Sequence, residues 1–460
     1  MTDSPRKPTL AVVGGGLAGM VAAVVAAERG CRVDLFERRK TLGGRAGSFR
    51  DPQTGQWVDF CQHVAMGCCT EFADFCRRTG VADCFRTDRT LYFFGPDGAK
   101  RAFRPSRWLP APWHLAPALL QLRYLTLGER WSIARTIRRL ARERIDDPRR
   151  DETIGAWLRR HGQTERTIER FWSVVLVSAL SETIDRASLA AAQKVFVDGF
   201  MASRTAYELV VPQLPLVEIF DGHVGKSLEK QDISVHRGMR VRRVEADGTR
   251  GVPATLSVVL ADGTRREFNS VIVAVPWHRV RSLLPKEITA TMPDFDDIEQ
   301  IKPAAITALH FWFDRPITSL PHAVLVEKLS QWIFNQGETE AGHCCQVVIS
   351  ASGGLIGRNR KAVLTEVLDE LKSIWPAARD TQLVHWRMVT QPRAVFPVTP
   401  EVEHFRPTQQ TPISNLLLAG DWTSTGWPAT MEGAVRSGYA AASAVPAPFG
   451  TGREITFPFR

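Results

Sequence analysis

The sequence predicts an α/β fold on three features near its start: an apolar run broken by glycines, an alanine-rich segment, and a second apolar run ending in an acid. Thr9–Val13 (TLAVV) reads as a buried parallel strand, Met20–Arg29 as the helix after it, and Cys31–Glu37 (CRVDLFE) as a second strand. Between strand and helix lies Gly14-Gly15-Gly16-Leu17-Ala18-Gly19. Here Gly14 allows a tight turn, Gly16 lets backbone approach a pyrophosphate, and Gly19 lets helix pack closely on strand. Leu17 and Ala18 sit where the helix offers free N–H groups and a positive dipole end to phosphates. Glu37 stands where an acid that bonds ribose hydroxyls belongs, about 20 residues on. The context is that of a Rossmann-like dinucleotide-binding domain. Arg38, Arg39 and Lys40 leave two readings, contacts to a 2′-phosphate or a solvated charge run.

The next residues, Thr41-Leu42-Gly43-Gly44-Arg45, resemble the second signature of FAD enzymes of the amine oxidase and phytoene desaturase superfamily. The resemblance implies that Gly43 and Gly44 bring backbone close to FAD and that Arg45 reaches its phosphates or flavin ring. The third signature lies near the far end. Asn415–Ala419 (NLLLA) reads as a buried strand, followed by Gly420-Asp421-Trp422-Thr423. Pro428–Ala434, which includes Met431, then opens a small-residue helix running to Ala442. By the same resemblance Asp421 bonds the ribityl chain and the helix start at Met431 faces the pyrimidine end of the flavin. A helix dipole suits that place, because reduced flavin carries negative charge there. FAD is the implied cofactor, and Arg38–Lys40 then read as a charge run against a 2′-phosphate, with Arg38, next to Glu37, still counted among the cofactor-binding residues.

Two signatures at opposite ends of a 460-residue chain imply a cofactor domain made of discontinuous segments. Arg237–Glu245 (RGMRVRRVE), Asp262-Gly263-Thr264 and Ser270–Pro276 (SVIVAVP) resemble its returning middle, with Val241 and Val244 on the strand that closes over the adenine. The expected division is 1–100, 206–284 and 406–460 for the FAD-binding domain. Residues 101–205 and 285–405 then form an α+β substrate domain with a membrane-facing helical part.

No run reaches the ~18 apolar residues of a spanning helix. The N-terminal apolar stretch is interrupted by glycines, which argues against a signal segment. Eight cysteines, four of them in two vicinal pairs, with no spaced framework suggest reduced thiols and a cytoplasmic setting. Cys61, His63, Cys68, Cys69 and Cys76 do not have metal-ligand spacing, so no metal is expected. The charge is concentrated. Between Lys100 and Ile145 eleven basic residues face two acids, in a chain of net charge +10. This window holds Trp108, Trp113 and a proline-rich turn. An expected helix follows over Glu129–Arg144, with Ile133, Ile137, Leu140 and Ala141 on one face and Arg135, Arg138, Arg139 and Arg142 elsewhere. Such a pattern suits an anionic bilayer surface, the alternative being a core helix with a solvated basic back. No reading motif for nucleic acid accompanies the charge. The expected location is therefore the inner face of the membrane, held peripherally.

Trp57–Cys69 (WVDFCQHVAMGCC), Leu91–Gly98 (LYFFGPDG), Ser106–Tyr124, Arg393–Pro400 (RAVFPVTP) and Ala419–Ala442 resemble the hydroxysqualene dehydroxylase family. The resemblance runs over nearly the whole chain and is weaker through 205–230, where Phe220-Asp221-Gly222-His223 matches no known pattern. Phe60 departs from it too, standing where a smaller or polar residue is expected. It implies a reductive dehydroxylation: an allylic hydroxyl leaves as water and hydride from reduced flavin gives squalene. That chemistry needs a proton for the hydroxyl, a fixed hydride distance and a dry apolar tunnel for a polyisoprenoid lipid. His63 is the candidate acid, since imidazole titrates near neutral pH, with a backbone-bonded structural histidine as the alternative. Phe171, Trp172, Phe196, Phe200, Phe311, Trp312 and Phe313 are candidates for the tunnel lining, with plain core as the alternative. A carotenoid-type desaturase or isomerase, a soluble amine oxidase and a non-catalytic prenyl-lipid escort of the same fold stay open as other readings.

Overall fold

The computed structural model of the protein describes residues 7–145, 152–247, 255–284, 286–290, 292 and 295–446. The ends of the expected first and last segments, 1–6 and 447–460, lie outside the described residues. A five-stranded parallel sheet runs in the order Ile233–Arg237, Arg32–Glu37, Thr9–Val13, Ser270–Val273, Leu416–Leu418. The strands come from three distant stretches of chain. The order reverses at Thr9–Val13, and in such sheets ligands bind beyond the carboxyl ends of the strands at that reversal. The helix Leu17–Glu28 starts three residues ahead of the expected Met20, because the turn passes directly into helical backbone at Leu17. Leu17 to Ala26 are all buried, with the sheet and the helix Met431–Ala444 packed against them. Its alanines permit that approach. A Cβ at Gly438 would meet Ala18 O at 2.4 Å, and one at Gly19 would meet Gly14 O at 1.9 Å.

A second, seven-stranded sheet runs Leu383–Val395, Ala304–Phe313, Gly342–Ile349, Trp332–Thr339, His322–Leu325, Leu91–Phe94, Lys100–Phe103. All its pairings are antiparallel except His322–Leu325 with Leu91–Phe94. Leu91–Phe94 thus pairs here and not with the parallel sheet, on the far side of the expected boundary at residue 100. Alternation along the strands gives the sheet two different faces. Leu309, Phe311, Phe313, Ile333 and Val347 pack under the helix Arg360–Ile374. Ile306, Trp332, Phe334, Val348 and Phe93 face a cavity.

The helices Ser173–Leu180 and Leu189–Phe196 close the other side of this cavity, and a third helix packs in the same core without lining it. Leu127–Leu140 begins at a capping box in which Thr126 Oγ accepts from Glu129 N at 3.2 Å and Glu129 accepts from Thr126 N at 2.7 Å. Ile133 and Leu140 point into the core, while Arg135, Arg138, Arg139 and Arg142 are exposed. The helix Ser173–Leu180 follows a π-helical turn, Ile168–Trp172, and Leu189–Phe196 runs into another, Val197–Met201. Such turns are rare and recur at functional sites. Among the described residues no helix is long and apolar enough to cross a membrane.

Candidate functional site

One cavity of about 680 Å³ spans both sheets. Gly14, Gly16, Leu17, Ala18, Glu37, Arg38, Gly43, Gly44, Arg45, His63, Val241, Gly420, Asp421 and Met431 all line it. Of the residues singled out from the sequence as site residues, Gly19 alone lies outside the lining, behind the turn, where any side chain would strike Gly14. The first two signatures are fastened together. Gly43 N donates to Gly15 O at 2.8 Å and the two segments form a parallel bridge at Gly16 and Gly43. Gly43 sits at φ +103°, in the left-handed range, and a Cβ there would meet Ala46 O at 2.5 Å. Only glycine permits that turn.

Glu37 is buried and its carboxylate accepts from Gly15 N at 2.8 Å and Arg39 N at 2.7 Å. An ionised carboxylate has about four acceptor sites, so lone pairs remain for a hydroxyl in the cavity. Arg45 pairs with Asp421, joining the second signature to the third, and donates to Ala394 O at 3.1 Å. Asp421 is almost fully buried. Thr430 caps the Met431–Ala444 helix, its hydroxyl accepting from Gly433 N at 3.1 Å, so the start of that helix opens on the cavity.

The wall is strongly positive. Seven arginines line it (38, 39, 45, 240, 242, 279 and 393) against three carboxylates, Glu37, Asp421 and Glu432. His278 reports that field: burial first, then Arg393, Arg279, Arg45 and Arg38, push its pKa down to about 4. Glycine turns without room for side chains, a helix start and an arginine-rich wall together fit a group carrying two phosphates.

On the side of the seven-stranded sheet the lining is largely apolar, with Phe93, Ile306, Trp332, Phe334 and Val348. His63 is half-buried, with Nδ1 2.9 Å from Cys61 O, the geometry of an Nδ1–H donor. Burial, with Arg45 adding to it against the Cys61 bond, holds the His63 pKa below its ordinary value. Burial thus favours the neutral ring, in which Nε2 is the acceptor. Of the seven aromatic candidates only Phe200 lines the cavity. Phe171, Trp172 and Phe196 pack on one another in the core, Phe311 and Phe313 face the helix Arg360–Ile374, and Trp312 packs on Val58 and Cys344. Phe60 faces the cavity and stacks on Phe49 at 5.7 Å.

Sequence reasoning missed several supports. Asp221 lies in the unplaced Phe220–His223 stretch, a π-helical turn, where it accepts from Leu42 N at 3.0 Å and Arg237 Nε at 2.8 Å. Arg406 is buried and donates to Thr423 O at 2.7 Å, Trp427 O at 2.8 Å and Asp421 O at 3.2 Å, clamping the loop that carries Asp421. Glu432 caps the helix Thr70–Thr79 by accepting from Phe72 N at 2.9 Å. Each acts across more than ten residues of chain, beyond the reach of a local motif.

A model of flavin containing amine oxidoreductases matches residues 17–446. The chain belongs to that family. It is an FAD-dependent oxidoreductase with an α/β FAD-binding fold. It is 25% identical over 438 residues to a hydroxysqualene dehydroxylase of Zymomonas mobilis, covering 94% of this chain and 97% of the relative. A second hydroxysqualene dehydroxylase, from Sinorhizobium fredii, is 27% identical, covering 94% and 96%. A zeta-carotene desaturase of Synechocystis is 22% identical, covering 95% and 96%. Among solved structures, an oxidoreductase from Methanosarcina mazei has the same fold, with TM-score 0.71, 16% identity and coverage of 95% and 100%.

Proposed function

We propose that this oxidoreductase removes the allylic hydroxyl of hydroxysqualene to give squalene. The observation that carries the reading is a single cavity whose cofactor-fitting end opens into an apolar chamber, in a chain similar to two hydroxysqualene dehydroxylases. When bound, reduced FAD supplies the hydride for such a reaction. Gly14, Gly16, Leu17, Ala18, Gly43 and Gly44 present backbone to its pyrophosphate, with Gly19 setting the helix against the turn. Arg38 and Arg45 supply positive charge, Glu37 takes the ribose, Val241 covers the adenine, and Gly420, Asp421 and Met431 hold the ribityl and pyrimidine end. The FAD-binding unit is then 1–90, 206–284 and 406–460, with its first boundary moved to the start of the Leu91–Phe94 strand.

His63 is the proton donor of this reading. Its Nδ1–H is fixed on Cys61 O, so the proton for the hydroxyl is carried on Nε2 of the doubly protonated ring, the form that low pH favours. Phe93, Val174, Val195, Phe200 and Phe334 keep water from an allylic cation, and the aromatic faces among them stabilise positive charge. The polyisoprenoid reaches the cavity from a bilayer. Trp108, Trp113, Leu120, Leu127 and Trp131 are 92%, 64%, 56%, 73% and 72% exposed, an unusual cost in water unless a lipid surface covers them. Arg135, Arg138 and Arg139 continue from Trp131 on the exposed side of one helix, suited to anionic headgroups at the inner face of the membrane.

A carotenoid-type desaturase is the second reading, favoured by the similarity to zeta-carotene desaturase over most of both chains. The two differ in the direction of electron flow. Anaerobic incubation of the flavin-reduced protein with hydroxysqualene should yield squalene by mass spectrometry. Oxidation of a polyene by the oxidised protein, without squalene formation by the reduced one, would favour the desaturase.

A further inference from the structure

The apolar end of the cavity stops at a wall one side chain thick. On its far side lies a separate cleft of about 410 Å³, lined by Glu169, Ser173, Leu325, Glu327, Lys328 and Gln331. Val174 and Ser178 line both spaces. Two hydrogen-bonded contacts close the gap between them. Trp332 faces the cavity and its Nε1–H donates to Ser178 Oγ at 2.9 Å. Ser178 in turn donates to Val174 O at 2.8 Å, so its lone pairs are free to accept. Gln331 faces the cleft, donates to Ser350 O at 3.1 Å and accepts from Ser350 N at 2.8 Å, while Ser350 lines the cavity. Trp332 is held flat against Phe334, with ring centroids 5.6 Å apart and planes 7° from parallel. The indole is therefore fixed at its polar edge and on one face, on the cavity side of Ser178.

We propose that Trp332, latched to Ser178, is the end wall of the lipid channel and sets the longest linear isoprenoid the site accepts. The cleft beyond is the continuation of that channel, which a longer chain enters once the indole is removed. This inference rests on the reading of the chamber as a polyisoprenoid site. The physical basis is burial: each methylene taken out of water adds to affinity, so one five-carbon unit admitted past the wall is worth far more than tenfold if fully covered. The polar lining of the cleft reduces that gain.

The test titrates FAD-loaded protein with linear all-trans isoprenols of twenty, thirty and forty carbons, following the flavin spectrum. The ratio of forty-carbon to twenty-carbon affinity should rise about tenfold or more in Trp332→Ala and by a smaller factor in Ser178→Ala. Should Trp332→Ala lose flavin, Trp332→Leu, which keeps more of the packing, carries the same expectation. Unchanged ratios in flavin-replete variants would overturn the wall. So would wild-type protein that binds no isoprenol of any length, which would overturn the lipid reading as well. A shifted ratio in a protein that never forms squalene supports the wall and removes only the proposed reaction.

Discussion

Arg45 and Asp421 bind one another across the cavity wall, so neither contributes alone. A hydrogen bond to a charged group is worth on the order of 1.5–3 kcal/mol. Arg45→Ala and Asp421→Ala should each lower FAD retention about tenfold or more. Because each leaves its partner's charge unpaired, the double variant should lose less than the product of the two single losses. Flavin per chain after gel filtration measures this, and fully multiplicative losses would show the pair to be uncoupled. His63 gives a second prediction at this scale. Its Ala variant should keep FAD but lose squalene formation by about 10²–10⁴-fold, the usual worth of a general acid. Since burial lowers its pKa, the protonated form accumulates only below the ordinary 6.5. The wild-type rate should keep rising as pH falls below that value, and the rise should vanish in His63→Ala. A flavin-free variant would make His63 structural.

At the scale of elements, the helix Leu127–Leu140 and the turn before it separate two forces. Trp108, Trp113 and Trp131 replaced by Ser, or Arg135, Arg138 and Arg139 by Gln, should each weaken sedimentation with anionic liposomes. Salt should erase only the arginine effect, since only charge is screened. Equal binding by all three proteins at low salt would make this a solvated face. Asp59, on the strand Trp57–Asp59, tests a different element. Burial raises its pKa from 3.8 to about 6, despite bonds from Ser48 Oγ at 2.5 Å and Leu216 N at 2.9 Å. The folded state then holds a proton that the unfolded chain releases at lower pH. Stability from this group is full below about pH 4 and lost as pH rises to about 6. In Asp59→Asn the corresponding fall in Tm should be absent, and an unchanged pH profile would assign that fall to other groups.

The whole molecule shows why some of this was legible in sequence and some was not. The fingerprint and Glu37 could be read because the glycines answer local steric demands at a fixed spacing from the acid, while Gly43-Gly44 and Asp421 were legible only through the family resemblance. The seven-stranded sheet could not, since Leu91–Phe94 finds its partner at His322–Leu325, more than two hundred residues away. Phe311, Trp312 and Phe313 read as one aromatic stripe, yet strand alternation sends Trp312 to the face opposite its neighbours. Asp221 and Arg406 were invisible for the same reason, because their partners are set by tertiary approach and not by period. What joins the two sheets is the cavity, with a positive wall at one end and an apolar chamber at the other. In the proposed reaction this arrangement delivers hydride to a carbon losing its hydroxyl. The most direct measurement reduces the flavin in D₂O without oxygen, adds hydroxysqualene, and examines the product by mass spectrometry. The expected product is squalene carrying a single deuterium at the carbon that bore the hydroxyl, one molecule for each flavin reoxidised. Hydroxysqualene recovered unchanged while the flavin stays reduced would contradict it.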